Sequence, residues 1–156
     1  MESRLNYTKL APGGVQAIYK LHKYVEDSGL EHSLLELVKT RASQINGCAY
    51  CIDMHTKDAR ALGESEQRLY LLNAWREAPF YTERERAALA WTESVTLISE
   101  SNASDEDYAA ARKQFSEQEL VNLTMAIISI NGWNRLAISF RAQPGDYEPQ
   151  RKQAAN

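Results

Sequence analysis

The chain has 156 residues, 44% of them apolar and 25% charged, with a formal net charge of −3. That length suits one domain with its own core, and no basic run or stripe marks a nucleic-acid partner. No apolar h-region opens the chain and no apolar run approaches membrane-spanning length, so the expected setting is the cytoplasm, away from membranes.

The predicted elements are all helical. A first helix follows Pro12-Gly13-Gly14, carries Val15, Ile18, Tyr19, His22 and Val25 at helical spacing, and stops near Ser28-Gly29. A second runs from about His32 to Ile45 and ends at Asn46-Gly47, two residues that tolerate a left-handed backbone. A third begins around Cys48 and ends at Leu62-Gly63. A fourth runs from about Ser65, with Leu69, Leu71, Leu72 and Trp75, and stops before Pro79. Thr82-Glu83-Arg84-Glu85 is a capping-box pattern that opens a long fifth helix, and Ser104 to Phe115 reads as a short sixth. Ser116-Glu117-Gln118-Glu119 is a second capping box, opening a last helix that is apolar on more than one side.

Such a helix is either central to the core or shared with a partner subunit, and Trp133 and Phe140 add apolar surface that favours sharing. The expectation is therefore one all-α bundle of six to seven helices over residues 1–142, followed by a loosely ordered tail over 143–156.

Both cysteines fall in Asn46-Gly47-Cys48-Ala49-Tyr50-Cys51-Ile52-Asp53-Met54-His55. A disulfide closing so small a loop constrains the unfolded chain little, so the pair points to redox or metal chemistry rather than to a staple. Cys48 at a helix start is favoured as a thiolate by free N–H groups and the helix dipole. Cys51 lies one turn on, and His55, at i+4 from Cys51, is placed to exchange its proton. These two effects favour different thiols as the nucleophile. Asp58, three residues beyond His55, either orients the imidazole or points to solvent.

Glu36 lies on the preceding helix, which the Asn-Gly turn can fold back against the cysteines. It reads equally as a proton-relay group or as the end of a Ser33-Leu34-Leu35-Glu36 capping box. Of the other histidines, His22 reads as a core residue and His32 as a surface or capping residue. A Cys48, Cys51, His55 and Glu36 set also has the ligand types of zinc, although three ligands from one short helix are strained for a tetrahedral site.

The segment from Glu36 through Cys48-Ala49-Tyr50-Cys51-Ile52-Asp53-Met54-His55 resembles the core of the alkylhydroperoxidase AhpD-like, or carboxymuconolactone decarboxylase-like, family. Lys39 to Gly47, Ala59 to Gly63 and Asn131-Gly132-Trp133-Asn134-Arg135-Leu136 resemble its flanking segments, and the likeness covers roughly residues 10–142. The resemblance implies a helical fold assembled as homotrimers or homohexamers. It also implies a thiol-dependent peroxidase, of antioxidant type and without a cofactor, acting on hydroperoxides.

In that reading Cys51 attacks the peroxide, Cys48 resolves the sulfenic acid to a disulfide, His55 and Glu36 relay protons, and an external dithiol restores the reduced pair. One position departs from the family's best-known relay, which has a histidine just before the second cysteine. Here that residue is Tyr50, a phenol of pKa about 10, which is a poor base at neutral pH but a competent hydrogen-bond donor. The alternative reading is a non-redox member, a decarboxylase-like enzyme or an oligomeric binding module, against which the intact cysteine pair argues.

Overall fold

The computed structural model describes residues 2–149, and among them the chain is helical with no strand. In chain order the helices are α1 (Tyr7–Leu10), α2 (Pro12–Glu26), α3 (His32–Asn46), α4 (Ala49–Ala61), α5 (Glu66–Tyr70), α6 (Glu83–Thr96), α7 (Ile98–Ser101), α8 (Asp105–Arg112) and α9 (Glu117–Phe140), with a 3-10 turn at Leu72–Ala74. All seven predicted segments carry helix, and two one-turn helices, α1 and α7, are added.

Local signals set most boundaries. Thr82 and Ser116 close the two expected capping boxes with Glu85 and Glu119. Gly47 ends α3 with φ +69°, which costs a residue without Cβ nothing. The fourth predicted helix instead breaks after Tyr70. Leu69, Leu72 and Trp75 are all buried in one cluster with Leu37 and Tyr81. Residues three apart eclipse one another in the tighter 3-10 geometry, which the chain adopts at Leu72–Ala74.

Helix α3 is the centre of the fold and packs against α4, α6 and α9, while α2 lies along α9. Residues Leu34 to Thr40 of α3 are buried without interruption. Helix α9 is central, as its apolar sequence required, with Leu123, Ala126, Ile127 and Ile130 buried. Trp133 and Phe140, expected to add surface for a partner, do not lie open. Trp133 lines a cavity, and Phe140 stacks on Tyr7 of α1 with ring centroids 5.6 Å apart. The apolar positions that remain exposed on α9 are Val121, Met125, Ile128 and Ile138.

Of the expected tail, residues 143–149 run back across α4. Lys57 Nζ donates to the carbonyls of Gly145 and Tyr147, and the Gly145 N–H donates to Asp53. The expectation for residues 150–156 lies outside the described residues. No helix among the described residues is long and apolar enough to cross a membrane.

Candidate active site

The site is built where α3, α4 and α9 meet. The Asn46-Gly47 turn reverses the chain so that α4 returns along α3. Asn46 Nδ2 pins the turn by donating to Asn131 and Asn134 of α9, each at 2.9 Å. Cys48 is the N-cap of α4, in an extended conformation, and its sulfur accepts the Cys51 N–H at 3.4 Å. The two sulfurs lie 2.6 Å apart, both 1% exposed.

These contacts separate the thiols. The hydrogen bond from Cys51, working against burial, brings the Cys48 thiol down to about 7, and the Cys51 N–H and the Asn134 amide add to it. Donating that bond, together with burial and the charge of Cys48, pushes the Cys51 thiol well up. The reduced pair therefore holds its first negative charge on Cys48, the sulfur at the helix start.

Glu36 does not cap its helix. Helix α3 begins at His32 after Glu31, two residues earlier than a Ser33 box requires, and has no side-chain cap. Glu36 is instead buried and accepts a hydrogen bond from His55 Nδ1 at 2.8 Å. Burial alone would raise its carboxyl, but the bond from His55 and the contacts of His55 and Lys39 hold it at about 2. An ionised carboxylate only accepts, so Nδ1 of His55 carries the hydrogen of this bond.

Lys39, one turn beyond Glu36, donates to it at 2.9 Å and also to Glu26 of α2. Sequence reasoning missed this lysine, although its i,i+3 spacing from Glu36 was a usable signal. His32 is surface-placed, as expected, and pairs with Glu26 at 3.0 Å.

Asp58 is the group that sequence reasoning left open. Its carboxylate accepts from the Tyr147 hydroxyl at 2.7 Å, so it is Glu36 that orients His55. Burial raises the Asp58 carboxyl. Glu36, His55 and Asp58 converge with donor atoms within 4.8 Å of one another, a different set from the expected zinc ligands. Lys39 donates to the Glu36 carboxylate and Tyr147 to that of Asp58, and the cysteines are not part of the set.

Two cavities flank this network. The first, about 300 Å³, is mostly apolar and aromatic, and Cys51, His55, Tyr50 and Trp133 face it, whereas Cys48 does not. Ser129 of α9 also lines it, 4% exposed and with no hydrogen-bond partner for its hydroxyl. The second, about 620 Å³, carries more polar groups, among them Glu26, His32, Glu36, Asp58 and Tyr147. His22, Lys39, Met54 and His55 line both and form the wall between them. His22 is thus a half-buried wall residue and not the core residue expected, because α2 turns this face toward the cavities.

The sequence model of the carboxymuconolactone decarboxylase family matches residues 12–94. An uncharacterized protein of Bacillus subtilis, YdfG, is 45% identical over 89% of this chain and 95% of its own length. A structure of a protein of unknown function from Agrobacterium tumefaciens, bearing the AhpD antioxidant-defence name, superposes with TM-score 0.90 at 48% identity, covering 94% of this chain and all of that one. The debrominase Bmp8 shares the fold alone, with TM-score 0.79 at 20% identity over 89% of this chain and 75% of that one. The dithiol at the start of α4, the glutamate-held histidine behind it and these matches agree, and the chain belongs to the carboxymuconolactone decarboxylase family, with the AhpD-like fold.

Proposed function

We propose that this protein reduces hydroperoxides with the Cys48–Cys51 pair and is recharged by an external dithiol. The observation that carries the reading is the pair itself. Two buried sulfurs stand 2.6 Å apart, and only one of them, Cys51, faces an apolar cavity that it shares with a histidine fixed by Glu36.

The cycle starts as His55 takes one thiol proton from the pair. Proton exchange across the short contact moves the remaining negative charge between the sulfurs, and a hydroperoxide in the cavity meets it on Cys51. The thiolate attacks the peroxide oxygen, the O–O bond breaks, and the departing alkoxide takes the proton back from His55. Cys51 is then a sulfenic acid. Cys48 attacks it, the S–O bond breaks, and the hydroxide leaves as water with the Cys48 proton. Two thiols and one hydroperoxide have become one disulfide, one alcohol and one water. Tyr50 faces the same cavity and can donate a hydrogen bond to the bound peroxide.

The test is peroxide consumption under a dithiol reductant. Cys51→Ser abolishes turnover, and Cys48→Ser gives a single burst that leaves a sulfenic acid on Cys51, located by trapping and mass spectrometry. Wild-type turnover in Cys51→Ser sinks the reading and leaves a non-redox role for the same cavity. Assembly as a homotrimer or homohexamer through the exposed α9 face belongs to this reading, and sedimentation at equilibrium checks it.

A further inference from the structure

The chemistry above uses one imidazole, His55, and the residue between the cysteines is a tyrosine. Yet a second imidazole reaches the same cavity from a different helix. His22 lines both cavities in the wall it shares with His55, Lys39 and Met54. No hydrogen bond to its ring nitrogens is made among the described residues, so both are free for an incoming molecule. It is half-buried, next to the exposed ring of Tyr19 at a centroid distance of 6.2 Å, whereas His55 is 3% exposed and tied to Glu36.

The two imidazoles therefore occupy different positions: one is fixed and buried, the other unbound and open toward solvent. We propose that His22 is the general base of the recharging step, taking the proton from the external thiol that attacks the Cys48–Cys51 disulfide. This rests on the dithiol reading above.

The step balances. The external thiol gives its proton to His22 as its sulfur bonds to Cys51, the sulfur facing the cavity, and the Cys48–Cys51 bond breaks with its electron pair on Cys48. The second thiol of the reductant then attacks the mixed disulfide. Its sulfur bonds to the first, Cys51 leaves and takes a proton, and the reductant departs as a disulfide. The reductant is oxidised by two electrons and the protein pair is reduced by two. Cys48 suits the leaving role, since its thiol is the acidic one of the pair and a thiol that ionises easily leaves faster.

The surroundings of His22 fit a base that is neutral at physiological pH. Burial and the Lys39 ammonium of α3 hold its imidazole below the ordinary value, against the opposing charges of Glu26 on its own helix and Glu36 on α3, with His55 of α4 acting alongside Lys39. Tyr7 of α1 and Tyr19 also face this region, and α9 contributes Ser129 and Trp133, neither of which titrates near neutrality.

The experiment separates the recharging step from peroxide chemistry. The full-length protein is converted to its disulfide form with diamide, and dithiothreitol in excess then reduces it while free thiols are counted at each time. Wild type, His22→Gln, His22→Ala and His55→Gln are compared from pH 5 to 9. In wild type a component that levels off with the His22 titration adds to the part that follows the thiolate content of the reductant. His22→Gln slows reduction at neutral pH by about tenfold or more, and its rate follows only the thiolate content of the reductant. Added imidazole restores rate to His22→Ala and leaves His22→Gln unchanged. The loss in His22→Gln exceeds the loss in His55→Gln in this step.

A wild-type rate and pH profile in His22→Gln overturns the proposal. So does a loss in His22→Ala that imidazole fails to restore with the profile unchanged, because that is the behaviour of a structural residue. Far-ultraviolet circular dichroism confirms that each variant is folded, and the glutamine variant serves where alanine fails. Because diamide makes the disulfide, the role of His22 is tested even in a protein that ignores peroxides altogether.

Discussion

Lys39→Ala is the most severe single change that the site's electrostatics predict. Lys39 is 3% exposed, and its ammonium holds two carboxylates, Glu36 at 2.9 Å and Glu26. Removing it leaves Glu36, itself 6% exposed, with His55 as its only hydrogen-bonding side chain and with a second carboxylate nearby. Breaking a buried pair by deleting one partner costs about 3–5 kcal/mol. For a chain of this size that corresponds to a fall in melting temperature of about 10 °C or more.

The pH dependence follows from the sign of the shift. Glu36 is held at about 2, below its ordinary 4.5, so its contribution is present above pH 4.5 and is lost as pH falls toward 2. Without Lys39 the folded value rises and that contribution shrinks. The gap between wild type and variant is therefore widest at neutral pH and narrows through pH 4.5. Urea unfolding followed by circular dichroism at pH 7 and pH 4 measures it. A loss below about 1 kcal/mol at pH 7, or one that grows toward acid, refutes the reasoning. Glu36→Gln combined with Lys39→Met should recover part of the loss, since it leaves fewer charges unpaired.

Four further outcomes are expected. Thiolate absorbance in the reduced protein rises with a midpoint near 7, and Cys48→Ser removes that transition, because the sulfur at the start of α4 is the one lowered to about 7. Tyr50→His, which puts an imidazole on the same cavity, raises turnover and partly restores the recharging rate of His22→Ala. Ser129→Ala is neutral or stabilises by up to about 1 kcal/mol in urea unfolding, since the hydroxyl it removes is buried without a partner. Gly47→Ala costs about 1 kcal/mol by the same measurement, because φ +69° then carries a Cβ.

Residues governed by their immediate neighbours were readable in the chain. The Asn46-Gly47 turn, the boxes at Thr82 and Ser116 and the placement of Cys48 at a helix start each depend on hydrogen bonds spanning a few residues. The Glu36–His55 contact was foreseeable once α3 and α4 were taken to fold back on each other. Positions governed by distant partners were not readable. Ser33-Leu34-Leu35-Glu36 has the form of a cap, and only the burial of Glu36 against α4 removes it from that role. His22 has the spacing of a core residue, but the packing of α2 along α9 leaves that face over a cavity. The break after Tyr70 brings Leu69, Leu72 and Trp75 into one buried cluster with Leu37 of α3, a distant partner that the local sequence does not show.

The contact of the residues before α1 with the end of α9 has a consequence for the order in which the molecule is made. The Arg4 N–H donates to the Phe140 carbonyl, and Tyr7 of α1 stacks on Phe140 while lining the cavity of Cys51. Asn134, which lowers both thiols, also comes late in the chain. A ribosome therefore releases Cys48 and Cys51 more than eighty residues before Asn134. Until α9 docks, the pair has the contacts made within α4 but lacks the Asn134 amide, so the last part of its acidity waits for α9.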